Sequence, residues 1–310
     1  MRVIGLAVIL AVSVFVSPFA ARAQPLGQQV KIGVLCAGFC PFHGPVGSLR
    51  PLITALERVG LVQGRTLAWD IGGVVNTEDL IAVEGQRLVS RRPDLILVWP
   101  GSVAAARAAK DATRTIPIVL MAVPDVVEHG LVDSLARPGG NISGTSIPLY
   151  DLMVKQLQVL KEINPRLKRV VFVHGDLDRG ELQTVNRLRA AAGVLGLDAS
   201  IRVTNATNVE QALAEAQAGT SAVLAIGSMP IVVQRRVRTL SLERKLPLLM
   251  PWRGWEGGGN STLIAYGPHF SAVADRTAAI IDRILKGGRP RDLAVEQPTS
   301  YELVIDGVMV

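Results

Sequence analysis

The residues between positions 34 and 44 combine side chains that often serve metal or redox chemistry. Cys36 and Cys40, the two cysteines of the chain, are closely spaced, and His43 follows them. A zinc site would need further ligands beside these three, and a redox centre more typically has C-x-x-C at the start of a helix. In an oxidising compartment this spacing favours a disulfide, so we predict a Cys36–Cys40 bond. Free thiols and a metal or redox site are the alternatives.

The N-terminal segment indicates export. Arg2 precedes the apolar run VIGLAVILAVSVFV, and Pro18 follows that run. Ala21, Arg22 and Ala23 fit the small-x-small rule for signal-peptide cleavage. The apolar run is too short to favour a membrane-spanning helix. We therefore predict cleavage after Ala23 and a periplasmic location.

The motifs of cofactor-dependent and hydrolytic enzymes are missing from the sequence. No Gly-x-Gly-x-x-Gly follows a predicted strand, and neither a P-loop nor a Gly-x-Ser-x-Gly elbow is present. The four histidines, at positions 43, 129, 174 and 269, are far apart. We therefore expect no metal and no cofactor.

The charge of the chain does not point to nucleic acid. The formal net charge is +7, and the basic residues are scattered. Their densest cluster, at residues 235–245, has the Leu and Val spacing of an amphipathic helix, which favours a solvated helix face. We expect no nucleic-acid partner.

Short apolar, β-branched runs alternate with helical stretches along the chain. The runs are continuous rather than alternating with polar residues, so the strands are expected to be buried on both faces of parallel sheets between helices. After the segment RPGGNISG at residues 137–144 the same rhythm begins again, which predicts two α/β lobes with a cleft between them. The predicted strands are 30–35, 66–71, 95–99, 116–122, 169–175, 199–203, 221–227, 246–251, 263–267 and 300–305.

The loops at the carboxyl ends of these strands carry the candidate binding residues. Ligands of open α/β sheets bind beyond that edge. Any one of these loops could be an ordinary turn, but together they surround one cleft. The candidates are Cys36, Phe39, Trp99, Gly101, Ser102, Asp125, Thr145, Ser146, His174, Asp176, Ser228, Trp252 and Arg253.

The chemistry of these candidates predicts a class of solute. Trp99 and Trp252 offer apolar faces, and Arg253 together with the helix start at Ser102 suits a carboxylate. Asp125 could receive an ammonium group. The expected solute is an amino acid or an aromatic acid.

Three phrases of the sequence resemble a known family. They are VKIGVL at residues 30–35, GLVDSLARPGGNISG at 130–144, and YGPHF with RILKGGRPRDLAVEQPTSYELVID within 266–306. The chain is similar over nearly all of residues 30–306 to solute-binding proteins of bacterial ABC importers with the type I periplasmic-binding-protein fold. Within that family it resembles the group related to tryptophan/tyrosine-type ABC substrate-binding proteins.

The resemblance implies a fold and a function. It implies two Rossmann-like lobes with parallel sheets, joined by a three-crossover hinge and closing on a small solute. Asp125 matches the Asp of the group's D-P-V loop, residues 99–102 match its T-G-G/T-P-A turn, and Arg253 matches the Arg of its W-R-E phrase. Val126 in place of Pro, and the two cysteines, depart from the group's pattern. The implied protein is a monomeric binding protein, not an enzyme, whose partners are a small solute and an ABC permease in the inner membrane.

An exported hydrolase-like α/β enzyme is the alternative function. The lobes are expected to divide the chain as follows: signal peptide 1–23; first lobe 24–144 plus 267–290; second lobe 145–266 plus 291–310. The apolar spacing of residues 271–286 predicts a helix with one buried face. We expect that helix to pack on the first lobe and strand 300–305 to return to the second.

Overall fold

The computed structural model describes residues 29–37, 40, 49–73, 78–175, 179–205, 207–226, 229, 231–250 and 264–305. The predicted signal peptide and its cleavage point after Ala23 lie outside these residues. No helix in the described ranges is both long and apolar enough to cross a membrane.

Strands and helices alternate along most of the described chain, as the apolar pattern predicts. The strand at residues 142–147 is not among the predicted strands, and no helix separates it from the strand before it. The strands are β1 (Val30–Leu35), β2 (Leu67–Ile71), β3 (Leu95–Val98), β4 (Ile118–Pro124), β5 (Ile142–Ile147), β6 (Arg169–His174), β7 (Asp198–Val203), β8 (Ser221–Ile226), β9 (Leu248–Met250), β10 (Ile264–Pro268), β11 (Val295–Glu296) and β12 (Tyr301–Ile305). The helices are α1 (Arg50–Arg58), α2 (Glu78–Ser90), α3 (Val103–Ala112), α4 (Leu149–Ile163), α5 (Arg179–Val194), α6 (Val209–Ala212), α7 (Ile231–Glu243) and α8 (Phe270–Leu285).

Helix α6 is a single short turn that ends at Ala212. Beyond it the amide of Ala214 donates to the carbonyl of Gln211, and that of Ala216 donates to Leu213. These tight turns replace the next helical turn.

The first lobe is built on a sheet with strand order β11-β5-β4-β3-β1-β2, and its described pairings are all parallel. Alternate residues of β3 face opposite sides of this sheet. Leu95 and Leu97 join the buried cluster that includes α1 and α8, whereas Ile96 and Val98 join the cluster that includes α2 and α3. Helices therefore cover both faces, which accounts for the continuous apolar runs.

The second lobe is built on a sheet with strand order β12-β10-β9-β8-β6-β7. Its described pairings are parallel except that β12 runs antiparallel to β10. Val170 and Phe172 of β6 face the cluster that includes α4 and α5, and Val171 and Val173 face the cluster that includes α7. The predicted fold of two α/β lobes with parallel-dominated sheets is confirmed.

The chain passes between the lobes three times. After β5 of the first sheet, α4 packs on α5 and β10. After β10 of the second sheet, α8 packs on α1, β4 and β5, which is the placement predicted for residues 271–286. After β11 of the first sheet, β12 pairs with β10 of the second.

The strand pairings shift the predicted lobe limits. Residues 145–147 belong to β5, whose pairing with β4 continues to Ile147, and β11 belongs to the first sheet as well. Residues 267–268 belong to β10 of the second sheet. Three short segments therefore pair with the sheet of the lobe other than the predicted one: residues 145–147, 267–268 and 295–296. We propose instead that the chain changes lobe at residues 148, 269 and 297–300.

Candidate functional site

The carboxyl edge of the first sheet gathers most of the predicted residues that the structure describes. Cys36 follows β1, Trp99 follows β3, and Asp125 follows β4. Thr145 and Ser146 lie at the end of β5. Because neighbouring parallel strands end at the same edge, these residues form one group. Phe39, Asp176, Ser228, Trp252 and Arg253 lie outside the described residues.

Cys36 and Cys40 are joined by a disulfide in the structure, with their Cα atoms 5.4 Å apart. Both are buried and belong to the cluster that also holds Trp99 and Leu49. The bond closes a small ring in the loop that follows β1. Pairing of these cysteines in the protein isolated from cells stays a prediction.

Trp99, which is predicted to offer an apolar face to the solute, is almost completely buried within the protein. Its side chain is 5% exposed, and its ring meets that of Phe270 edge to face with centroids 6.3 Å apart. Phe270 begins α8, immediately after the second crossover. Trp99 therefore joins the β3 loop to the hinge, and most of its surface contacts protein.

Ser102 serves α3 as its N-cap. Its hydroxyl oxygen accepts a hydrogen bond from the amide of Ala105 at 3.0 Å, which satisfies one of the free amides at the helix start. Gly101 precedes it with a positive φ of 86°, a conformation that glycine adopts without strain. What this turn offers an anion is therefore the remaining backbone amides of the first helical turn.

Thr145 uses its hydroxyl within the fold. The oxygen accepts a hydrogen bond from the amide of Ala122 at 2.9 Å and lies 3.2 Å from the hydroxyl of Thr277 on α8. Ala122 sits in an irregularity of β4, where the pairing with β5 shifts register. Thr145 thus stabilises that irregularity. Ser146 is also fully buried, and its hydroxyl has no hydrogen-bond partner among the described residues.

Asp125 lies next to the first crossover between the lobes and contacts the chain on both sides of it. Its own amide donates to the carbonyl of Ile147 at 3.0 Å, and its carboxylate accepts a hydrogen bond from the amide of Tyr150 at 3.4 Å. Tyr150 is in the first turn of α4. The backbone of Asp125 has a positive φ of 41°, which is uncommon for a residue with a side chain.

The environment of Asp125 raises its pKa to about 6. Burial is the largest cause, because it disfavours the charged form. The negative charges of Glu128 and Asp151 raise the pKa further, whereas the Tyr150 amide and the Arg187 guanidinium act in the opposite direction. Neutralising a carboxylate in this position by a ligand's cation would be favourable.

His174 is the one predicted site residue on the second sheet that lies within the described part of the chain. It ends β6, its side chain is buried, and its Nδ1 lies 2.5 Å from the carbonyl oxygen of Gly175. Its own carbonyl accepts a hydrogen bond from the amide of Thr204 at 2.7 Å. These contacts hold the turn that leads from β6 towards α5.

Three further residues near Asp125 are not predicted from the sequence: Tyr150, Arg187 and Glu128. The guanidinium carbon of Arg187, on α5, lies 3.9 Å from the ring centroid of Tyr150. Its Nη1 lies 2.5 Å from Oε2 of Glu128, which follows Asp125 on the first lobe. The two ion-pair partners are 59 residues apart, and each stands in a stretch of ordinary surface composition. No motif in the sequence connects them.

Comparison with known proteins defines the class to which this two-lobed protein belongs. A family model described as "ABC transporter substrate binding protein" matches residues 48–309. The chain belongs to this family. Its members are described as substrate-binding proteins of ABC transporters.

Individual relatives agree with this class. A protein of Clostridioides difficile (strain R20291) named "Tyrosine-binding protein" is 27% identical over 261 residues, which cover 82% of this chain and 72% of that protein. The ABC domain of a Streptococcus pneumonia protein, solved in complex with L-Trp, matches with a TM-score of 0.72 and 20% identity over 90% of this chain and 93% of its own. A conserved domain protein from Vibrio cholerae matches with a TM-score of 0.75 and 21% identity over 91% and 93% of the two chains. At these identities the structural matches establish the fold, that of type I periplasmic binding proteins.

Proposed function

We propose that this protein is the periplasmic receptor of an ABC importer and captures an aromatic amino acid between its lobes for delivery to an inner-membrane permease. The observation that carries the proposal is Asp125. It places a partly buried carboxyl group of raised pKa between the carboxyl edge of the first sheet and the start of α4. An ammonium group bound there would restore the ionised form and compensate for its burial.

The remaining groups of the site suit the rest of such a solute. The first-turn amides of α3, beyond the Ser102 cap, would receive the carboxylate, together with Arg253. Tyrosine and tryptophan, the ligands printed in the names of two relatives, carry both charged groups and an aromatic ring. The family affiliation supports a binding role over the hydrolase alternative.

Capture would couple to closure of the lobes. A solute that contacts both lobes stabilises the closed arrangement by its additional interactions there. We propose that the exported protein, cleaved after Ala23, acts as a monomer, and that the permease distinguishes the closed form from the open one.

A thermal-shift series tests the solute class. We expect L-tryptophan and L-tyrosine to raise the melting temperature with increasing concentration, because they bind the folded state alone. Indole-3-propionate, which lacks the amine, and tryptamine, which lacks the carboxylate, should each shift it less. Stabilisation by sugars or polyols, with no response to any amino acid, would contradict the proposal.

The Asp125→Asn variant tests the assigned residue. Asn keeps an acceptor for the Tyr150 amide but carries no charge, so the fold should persist while the affinity for L-tryptophan falls. Indole-3-propionate should bind the variant and the wild type equally, since it has no amine. Equal loss of affinity for both compounds would mean that Asp125 does not recognise the amine.

A further inference from the structure

We propose that Arg187 is a positioning residue for solute capture: it reaches from the second lobe to Glu128 of the first and holds the lobes together. We call the Arg187–Glu128 pair the latch. Its part in solute affinity rests on the proposed function, but its part in lobe closure does not.

Arg187 is held in place by its own lobe. It lies on α5, and its guanidinium group stacks over the ring of Tyr150 in the first turn of α4 with 3.9 Å between the guanidinium carbon and the ring centroid. Helices α4 and α5 pack against each other. Stacking on an aromatic face restricts a long side chain that would otherwise sample many rotamers. The guanidinium is thereby aimed at the first lobe before the pair forms.

Glu128 is held in place by the other lobe. It lies in the turn after β4, where Val126 and Leu131 are buried and the amide of Leu131 donates to the carbonyl of Val126. The Nζ of Lys110 on α3 donates to the carbonyl of Gly130 at 2.6 Å. This turn is thus fixed to the first lobe and would move with it.

The latch joins the second lobe directly to the first. Among the ion pairs between described residues, the others join groups within one lobe, except His269–Glu302, which lies at the crossovers. The Nη1 of Arg187 lies 2.5 Å from Oε2 of Glu128. A contact of this length between groups on two lobes breaks when those groups move apart by a few ångströms.

The latch also lies beside the site. Glu128 follows Asp125 in the same turn, and Tyr150, which supports Arg187, donates its amide to Asp125. A solute amine held by Asp125 would therefore sit next to the contact that closes over it. Closing the latch and retaining the solute should favour each other.

Exposure to solvent limits how much the latch contributes to lobe closure. The side chains of Arg187 and Glu128 are 40% and 55% exposed, so the ion pair is screened. With the aromatic contact added, loss of the latch should change the closure equilibrium or the solute affinity by about two- to fivefold.

A solute-free experiment tests closure directly. Dyes on one surface site of each lobe would report inter-lobe distance by energy transfer in wild type, Arg187→Gln, Glu128→Gln and the double variant. The matched control is Arg202→Gln, because the Arg202–Glu215 pair has similar exposures of 36% and 56% but lies within the second lobe. We expect both latch variants to populate the open form more, the double variant to match either single one, and the control to match wild type. Raising salt should open the wild type but leave the latch variants unchanged.

A second measurement follows solute release. With L-tryptophan the latch variants should dissociate about two- to fivefold faster, with Arg202→Gln unchanged. Unchanged inter-lobe distances in both latch variants, or equal changes in the control, would overturn the latch. Failure of L-tryptophan to bind even the wild type would instead contradict the proposed solute, and the solute-free distances would still decide the latch.

Discussion

Asp125 is the residue on which the proposed function mainly depends. It hydrogen-bonds across the first crossover, and burial raises its pKa to about 6 from an ordinary value of 3.8. The folded state therefore binds a proton more readily than the unfolded chain between these two values. The unfolding free energy should accordingly fall as the pH rises through this window and stay low above pH 6.

Replacing Asp125 by Asn should remove this pH dependence. Above pH 6 the variant should be more stable than the wild type by on the order of 1–2 kcal/mol, less than the full pKa shift would give because the group is partly exposed. Below pH 4 the two proteins should be alike. Urea unfolding between pH 4 and pH 7 measures this difference. Parallel stability profiles would show that the carboxyl group is not perturbed in the folded state.

The Cys36–Cys40 bond can be tested by counting thiols. Both cysteines are buried, so the protein must be unfolded before an alkylating reagent reaches them. We expect no labelling in denaturant alone and labelling of both residues once a reductant is added. Mass spectrometry counts the labels. Two labels in denaturant without reductant would mean that the thiols are free.

At the scale of elements, the end of the RPGGNISG segment explains why β4 and β5 can approach so closely. Gly144 has a positive φ of 131°, and an added Cβ would lie 2.2 Å from the carbonyl oxygen of Leu120. Neither the conformation nor the space admits a side chain. The same pair of strands leads directly to Asp125 and to the first crossover.

The Gly144→Ala variant should therefore be strongly destabilised, by about 2 kcal/mol or more. Gly193→Ala is the matched control, because Gly193 lies in α5 and an added Cβ there would meet no heavy atom within 4 Å. Alanine favours the helix, so the control should be neutral or slightly stabilised. Chemical unfolding compares the two. Similar stabilities for both variants would contradict the close approach of β4 and β5.

Helix α8 offers a second test of an element. Ile281 is fully buried in the cluster shared with α1, and α8 packs on the first sheet. Ile281→Asp would place an unpaired carboxylate there and should cost several kcal/mol. Asp282, on the same helix, is 22% exposed and pairs with Lys286, so Asp282→Asn should cost less than about 1 kcal/mol. Hydrogen exchange should show the loss of protection in α1 and β1, and a loss confined to the second lobe would be contrary to this packing.

Much of the architecture could be predicted from the sequence, and what could not has physical reasons. Continuous apolar runs are sufficient to locate most strands of two parallel sheets. The strand β11 is only Val295–Glu296, too short to have a periodicity. The roles of the site residues are harder to predict than the strands. Thr145 is a candidate by position, but its hydroxyl accepts a hydrogen bond from Ala122 where β4 shifts register, and no local sequence pattern reveals that shift. Arg187 and Glu128 meet only because two lobes come together, so their contact depends on tertiary structure alone.

At the scale of the whole molecule, the three crossovers leave two lobes that can move about a common hinge. Tyr266 and Tyr301 stack there with ring centroids 6.0 Å apart, and the side-chain amide of Gln156 on α4 donates to the carbonyls of Met250 and Tyr266, both at 2.8 Å. The hinge side of the second lobe is thus firmly packed. Opening about the crossovers would separate groups of the two lobes that only side chains connect, and the exposed latch is such a contact.

The measurement that tests the central claim most directly is calorimetric titration of the wild type and Asp125→Asn with L-tryptophan at pH 7 and pH 5. If the ionised Asp125 holds the amine, wild-type affinity should be about tenfold weaker at pH 5 than at pH 7, because the carboxyl group is then mostly protonated in the free protein. The variant should bind weakly at both pH values. Binding that is independent of pH and equal in the two proteins, or no binding of aromatic amino acids by the wild type, would contradict this account.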